Sequence, residues 1–187
     1  MNTLKEYFEI EAKLFNQIAL DKVDQVIAQL EQARVEGQRV FVFGNGGSGS
    51  TASHFACDLG KGTVQPNRPR FKVISLVDMM PTLTAYANDV AYDAVFAEPL
   101  ITHAQRGDLA IGFSGSGNSP NILRAMETAN KLGMATIGFS GFTGGKLKDL
   151  VEQHINVPSD LMCQIEDVHL ALTHAMCEML KLQHDPH

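Results

Sequence analysis

The sequence lacks an excess of basic charge. In 187 residues, 15 lysines and arginines stand against 21 aspartates and glutamates, which gives a formal net charge of −6. Without a lysine- and arginine-rich stripe, direct nucleic-acid binding is not expected. No apolar stretch reaches the roughly 20 residues needed to span a bilayer, so no membrane partner is expected either. The remaining composition, 44% hydrophobic and 19% charged, is ordinary for a globular protein.

Cysteine is also scarce. Cys57, Cys163 and Cys177 are an odd number and show no CxxC spacing, so neither a disulfide framework nor a cysteine-rich metal site is indicated. The N-terminal segment MNTLKEYFEIEAK does not have the apolar centre of a signal peptide. We therefore expect a protein of the reducing cytoplasm.

The chain is predicted to form one α/β domain. Residues 1–37 show two helical patterns and form an N-terminal extension, and residues 38–183 form the α/β core with a long C-terminal helix. Alternating apolar and helical segments predict a parallel sheet of about five strands with helices on both faces. Strands are predicted at 40–43, 71–76, 108–113, 135–139 and 154–157, and core helices at 80–87, 93–103, 121–132, 146–151 and 161–182.

The stretch RVFVFGNGGSGSTASHFACDL contains the strongest local signal. The unbroken apolar run 40–43 predicts a strand buried on both faces, and the glycine-rich segment 44–49 predicts a turn before a helix that begins near Ser50. A strand, a glycine turn and a helix N-terminus together form a ready site for a phosphate group. His54 and Asp58 are four residues apart, so they share one face of this helix.

A second loop of the same kind follows the third predicted strand. The segment 114–119, SGSGNS, supplies three hydroxyls and two glycines, with Ser119 as the expected N-cap and Pro120 as the first residue of the next helix. Either loop alone is equally consistent with a capped turn. Two such loops at strand ends of one parallel sheet favour a shared phosphate site. Neither is followed by the lysine of a P-loop, so no nucleotide is expected.

A dinucleotide-binding alternative is formally present. Gly44, Gly46 and Gly49 fit the pattern G-x-G-x-x-G, and Asp78 could serve as the ribose-binding acid. However, Asp78 follows Gly44 by 34 residues, whereas roughly 20 are expected after that fingerprint. This alternative also leaves the serine-rich segment 114–119 unexplained, so it ranks below a phosphosugar site.

Four motifs resemble a known family. They are GNGGSGSTASHFACDL at 44–59, the dipeptide Asn88-Asp89, SGSGNS at 114–119 and IEDVHLALTH at 165–174. Together they are similar to the sugar-isomerase (SIS) domain family, and within it to the phosphoheptose isomerases. The resemblance implies a flavodoxin-like sheet, a homotetramer or dimer with active sites between subunits, and isomerisation of sedoheptulose 7-phosphate in the biosynthesis of lipopolysaccharide heptose.

The resemblance also implies residue roles. Asp58 would be the catalytic base and His174 the proton donor. The positions assigned to a phosphorylated sugar are Asn45, Gly46, Gly47, Ser48, Asn88, Asp89, Ser114, Gly115, Ser116, Ser119 and Glu166. A metal ion, zinc by resemblance, would be held by His54, Asp58, Glu166 and His174.

Three positions depart from the family pattern. Asp58 stands where the isomerases have glutamate, Glu166 where they have glutamine, and Gly62 near the place of an expected arginine. A side chain shortened by one methylene matters because a misplacement of about 1 Å can slow a reaction about 100-fold. The alternative is a non-catalytic SIS protein that binds a sugar phosphate or acts as a scaffold, as in the DnaA initiator-associating type. Titratable side chains at positions 54, 58, 166 and 174 favour an enzyme.

Overall fold

The structure is a computed structural model that describes residues 3–182. The outermost residues of the predicted domain, 1–2 and 183–187, lie outside the described residues. Within residues 3–182, no helix is long and apolar enough to cross a membrane.

Helices and strands alternate along the chain as predicted. The helices are α1 (Leu4–Phe15), α2 (Leu20–Glu36), α3 (Gly46–Cys57), α4 (Met80–Asp89), α5 (Ala97–His103), α6 (Pro120–Leu132) and α7 (Met162–Leu182). The strands are β1 (Arg39–Gly44), β2 (Lys72–Ser75), β3 (Leu109–Ser114), β4 (Ala135–Gly141) and β5 (Gln153–Val157). A five-residue π-helical segment, Asp58–Gly62, continues directly from α3.

The five strands form one parallel sheet in the order β2-β1-β3-β4-β5. This is the flavodoxin-like order, so the predicted fold is confirmed. The strand order reverses between β1 and β3, and Gly44 at the end of β1 is in register with Phe113 of β3. The loops after these two strands therefore start side by side, at the switch point where ligands of such sheets bind.

Both faces of the sheet are covered by helices. On β1, Val40 and Val42 pack into a cluster with residues of α2, α3 and α7, whereas Phe41 and Phe43 pack with residues of α5 and α6. Side chains alternate between the two faces of a strand, so the unbroken apolar run of β1 reflects two separate hydrophobic layers. The four side chains are fully buried, which fixes the position of the β1 end and of the loop after it.

Some predicted boundaries are wrong. The helix after β1 begins at Gly46, not near residue 50, so the glycine segment is mostly the first turn of α3. The helix predicted at 93–103 is a 3-10 turn, Tyr92–Ala94, followed by α5. Pro99 explains this, because proline is tolerated only in the first turn of a helix. The helix predicted at 146–151 is a single 3-10 turn, Leu147–Asp149.

Candidate active site

A cavity of about 240 Å³ lies where the ends of β1 and β3 meet. Nine of the residues predicted to bind substrate line it: Asn45, Gly46, Gly47, Ser48, Ser114, Gly115, Ser116, Ser119 and Glu166. The structure therefore brings the two predicted loops together at one place. Phe113 and Met162 also line the cavity and were not predicted.

Two helix N-termini reach the cavity. The helix α3 begins there at Gly46, and α6 begins after Ser119 with Pro120 in its first turn. The first backbone N–H groups of a helix have no partner within the helix and carry partial positive charge. The hydroxyl of Ser114 donates to that of Ser119 at 3.0 Å, and the Ser116 hydroxyl accepts from the backbone N–H of Asn118 at 3.1 Å. This arrangement of donors suits a bound anion.

The first turns of α7 close over the cavity, and this requires glycine beneath them. A Cβ atom at Gly47 would lie 2.3 Å from Oε2 of Glu166, and one at Gly115 would lie 2.2 Å from Sδ of Met162. Both separations are far below van der Waals contact. The two glycines thus allow α7 to present Glu166 at the cavity.

Two residues that sequence reasoning missed hold Asn45 in place. The side-chain amides of Asn45 and Asn121 are hydrogen-bonded to each other at 2.8 and 2.9 Å, and the Tyr92 hydroxyl donates to Oδ1 of Asn45 at 3.0 Å. Asn121 is only 1% exposed. A polar residue directly after Pro120 was the available signal for Asn121, whereas nothing in the local pattern singled out Tyr92.

His54, Asp58 and His174 form a second group, with ligand atoms all within 4.8 Å of one another. The distance from Oδ2 of Asp58 is 3.3 Å to Nε2 of His54 and 3.6 Å to Nε2 of His174, and the two Nε2 atoms are 2.9 Å apart. His54 and Asp58 share one helix face, as predicted, and α7 supplies His174. All three side chains are partly exposed, so the group is accessible to a substrate.

Asp58 lies at an irregularity in the backbone. It begins the π-helical segment, in which the N–H of Thr63 donates to the Asp58 carbonyl at 3.1 Å. Such segments are rare and are often found at functional sites. A Cβ atom at Gly62 would lie 3.9 Å from Cβ of Asp58, so the position where an arginine was expected borders Asp58.

The donor set of this group fits a divalent metal ion. Two imidazole nitrogens and one carboxylate oxygen are ligands that zinc accepts, at about 2.0 to 2.2 Å each. Tetrahedral ligands at those lengths are separated by about 3.3 to 3.5 Å. The two nitrogen–oxygen distances of 3.3 and 3.6 Å match this range, and the nitrogen–nitrogen distance of 2.9 Å is shorter, so the two imidazoles would have to move slightly apart. The group could therefore hold a metal ion with these three side chains.

Within a single chain, Glu166 does not belong to the group of His54, Asp58 and His174. It lines the cavity beside Gly47, and it precedes His174 by eight positions on α7. At about 1.5 Å per residue, that is about 12 Å along the helix axis. The four predicted metal ligands are thus divided between two places, three at one and Glu166 at the other.

Asn88 and Asp89 also lie apart from the cavity. They end α4, where the Asn88 amide donates to Oδ1 of Asp89 at 2.7 Å. Both are exposed, and Asp89 lines a separate groove with Pro81 and Tyr86. A single chain therefore does not bring these two predicted substrate residues to the predicted phosphate.

Comparison with known proteins agrees with this fold. The SIS domain family matches residues 6–141. A phosphoheptose isomerase of Akkermansia muciniphila is 36% identical over 159 residues, which are 85% of this chain and 84% of that protein. One of Helicobacter pylori is 40% identical over 143 residues, which are 76% and 74% of the two chains. The structure of a phosphoheptose isomerase from Francisella tularensis superposes with a TM-score of 0.88 at 28% identity and covers 95% of this chain and 96% of that one.

Proposed function

This chain belongs to the SIS domain family, and we propose that it is an aldose–ketose isomerase that converts sedoheptulose 7-phosphate into a heptose 7-phosphate. The observation that carries the proposal is the convergence of the two serine- and glycine-rich strand ends on one cavity. The relatives named phosphoheptose isomerase support the reaction and the substrate. The expected cytoplasmic location is part of the same proposal.

The cavity would bind the phosphate group of the sugar. Two helix N-termini favour a dianion electrostatically, and Ser114, Ser116 and Ser119 supply hydroxyl donors in the same place. Serine hydroxyls can rotate to point their protons at the ligand. This combination binds phosphate without a lysine.

The proposed chemistry uses Asp58 and His174. The Asp58 carboxylate removes the proton from C1 of the ketose, and the electrons of that C–H bond form the C1–C2 double bond of an enediol. His174 donates a proton to the C2 oxygen as the carbonyl electrons move onto it. Return of the proton to C2, with loss of the proton from the C1 hydroxyl, gives the aldose. Nε2 of His174 and Oδ2 of Asp58 are 3.6 Å apart, so both can contact one substrate molecule, which general acid–base catalysis requires.

We place the complete active site at a contact between subunits. From Gly46 at the cavity to Cys57 beside Asp58, α3 rises about 16 Å. The eight bonds from C1 to phosphorus measure only about 12 Å in contour at about 1.5 Å each. Within one subunit the sugar would have to be almost fully extended to span this distance, so we infer that the cavity of one subunit works with the His54–Asp58–His174 group of a neighbour and that Glu166 joins that group from the cavity side.

Exposed apolar side chains support self-association. On α1, Leu4 is 78% and Phe8 is 61% exposed, and Met179 on α7 is also exposed. Burial of such side chains between copies of the chain is favourable by about 25 cal/mol per Å². A homotetramer or dimer would also allow Asn88 and Asp89 to reach the cavity of a neighbouring subunit.

Zinc fits the second group. His54, Asp58 and His174 would hold it through the same nitrogen and oxygen atoms, so the proton transfers assigned to Asp58 and His174 belong to the metal-free protein. When bound, zinc supplies a Lewis acid that stabilises negative charge on the substrate oxygens. The fit rests on the donor set and on the distances within this group.

The competing proposal is a non-catalytic SIS protein that binds a sugar phosphate or acts as a scaffold. Such a protein needs the fold and the phosphate cavity but has no use for two imidazoles and a carboxylate assembled within 4.8 Å. The assembled group therefore favours the enzyme.

Proton exchange tests the proposal. The purified protein, incubated with sedoheptulose 7-phosphate in D₂O, is expected to replace the C1 or C2 proton with deuterium, as followed by NMR. Asp58→Asn and His174→Ala are each expected to abolish exchange and to retain the thermal stabilisation caused by the ligand. His103→Ala, which changes an exposed histidine on α5, is the control.

The outcomes separate the candidate functions. Normal exchange in both variants would show that the assigned roles are wrong. If the native protein is stabilised by the sugar phosphate but never exchanges its protons, the non-catalytic function is correct.

A further inference from the structure

The hydrogen bonds around Asn45 determine which way its side-chain amide points. Asn121 accepts at Oδ1 from the backbone N–H of Ile122 at 3.1 Å. A backbone N–H can only donate, so the atom it meets on Asn121 is the carbonyl oxygen. The other end of the Asn121 amide is consequently the NH₂ group, which donates to Oδ1 of Asn45 at 2.8 Å.

The same oxygen of Asn45 also accepts from the Tyr92 hydroxyl at 3.0 Å. A carbonyl oxygen has two lone pairs, and both are now used. The amide nitrogen of Asn45 donates one of its two protons to Oδ1 of Asn121 at 2.9 Å. Of the hydrogen-bonding groups on this side chain, one N–H is left for the cavity that Asn45 lines.

We propose that Asn121 and Tyr92 are positioning residues that fix Asn45 as a hydrogen-bond donor to a substrate oxygen. This inference rests on the proposed function for the identity of the substrate. The acceptor is either an oxygen of the phosphate dianion or the carbonyl oxygen of the open-chain sugar, and neither of these oxygens carries a proton. A flipped amide would present its carbonyl to the same oxygens and repel them.

Burial makes the arrangement rigid. Asn121 is 1% exposed and follows Pro120 in the first turn of α6, so rotation of its amide would leave buried donors and acceptors unpaired, which is costly. Tyr92 is 56% exposed and contributes one bond from the surface. Removal of its hydroxyl therefore changes the bonding of Asn45 with little effect on the core.

The side-chain amide protons of Asn45 report directly on this arrangement. In NMR spectra of the whole protein, assigned with the Asn45→Asp variant, one of the two protons is expected to be protected from exchange and the other to be exposed. Addition of inorganic phosphate should shift the exposed proton if the acceptor is the phosphate group. If only sedoheptulose 7-phosphate shifts it, the acceptor is on the sugar.

Binding and kinetics of variants complete the test. Tyr92→Phe is expected to weaken the affinity for sedoheptulose 7-phosphate about three- to ten-fold, the effect of one hydrogen bond, and to raise KM more than it lowers kcat. Asn121→Leu should have a larger effect and remove the protection of the Asn45 proton. Tyr86→Phe, which changes another tyrosine of the same region, is the matched control and should behave as the native protein.

The inference is overturned if Tyr92→Phe leaves both the Asn45 amide signals and the affinity unchanged, or if neither ligand shifts an Asn45 proton. A native protein without isomerase activity would instead refute the proposed function. In that case the orientation of the Asn45 amide is still tested by the shift of its exposed proton on addition of inorganic phosphate, and by the change of that shift in Tyr92→Phe.

Discussion

Glu166 lies directly against the backbone of Gly47, so close that a Cβ atom there would stand 2.3 Å from its Oε2 atom and 2.5 Å from its Cδ atom. The contact joins the first turn of α3 to α7 at the cavity. Because Gly47 has no Cβ atom, a carboxylate on the last helix can reach the first turn of α3.

Gly47→Ala is therefore expected to displace Glu166 while the fold is kept. The flexible end of the glutamate can swing away, and alanine is favoured over glycine in a helix by about 1 kcal/mol, so the free energy of unfolding in urea should be unchanged or slightly higher. Isomerase activity is expected to fall about 100-fold. In a Glu166→Ala background the same substitution should have no further effect on activity, and an additive loss would contradict the contact.

The double variant Ser116→Ala with Ser119→Ala tests the phosphate cavity. Loss of two hydroxyl donors to a charged group is expected to raise the Kd for sedoheptulose 7-phosphate about 10- to 100-fold, measured by calorimetry. Ser53→Ala removes a hydroxyl that is bonded to Asp78 outside the cavity and serves as the control. Equal affinity of the double variant and the native protein would place the phosphate elsewhere.

Cobalt(II) provides a spectroscopic test of the metal group. The protein is expected to bind about one Co²⁺ per chain with the intense visible absorption of four-coordinate cobalt, and zinc should displace it. His54→Gln and His174→Gln should each lose this absorption, whereas the exposed His103→Gln should keep it. Retention of the spectrum in both ligand variants would exclude this group as the metal site.

Mixed oligomers test whether the active site is shared. At a substrate concentration near the native Kd, a chain with Asp58→Asn is expected to be inactive alone, and a chain with the double serine substitution is expected to have little activity because its binding is weakened. If each site combines the cavity of one subunit with the Asp58 of another, random mixing of the two chains restores about a quarter of the native activity. Activity that stays at zero in verified mixed oligomers would mean that both parts of the site come from one subunit.

His169 is expected to make stability depend on pH. Burial lowers its pKa from 6.5 to about 4, because the charged imidazole loses its hydration beside Phe113 and Phe139. Between pH 6.5 and 4 the unfolded chain binds a proton that the folded chain does not, so the free energy of unfolding falls as the pH falls. The full contribution is about 3 kcal/mol.

The matched variant is His169→Gln, which can still donate to the Ser140 carbonyl that Nε2 of His169 contacts at 3.1 Å but cannot titrate. Urea unfolding at several pH values should show a shallower loss of stability below pH 6.5 in this variant than in the native protein. Parallel curves would show that His169 is not the source of the dependence.

Much of the fold was predictable because its signals are local. The apolar run of β1, the two glycine-rich strand ends and the alternation of elements predicted the parallel sheet and the meeting of the loops, and the structure confirms these. The boundaries were less predictable: α3 begins four residues earlier than expected because Gly46, with φ of +54°, turns the chain straight into the helix after Asn45. A single positive φ angle of this kind does not change the periodic pattern of apolar side chains, so the sequence pattern does not show it.

The sequence by itself determined the residue types of the site and their order along the chain. These are the hydroxyls, the glycines, His54 one turn before Asp58, and, on the last helix, the acidic Glu166 and the basic His174. Only the tertiary structure decided which of them meet. The packing of α7 along α3 puts Glu166 against Gly47 and His174 beside Asp58. Glu166 and His174 are eight positions apart, about 12 Å along a helix, so they contact α3 at two separate places. The tertiary structure likewise made Asn121 and Tyr92 partners of Asn45, since contacts between distant segments depend on how whole elements pack and not on their local sequence.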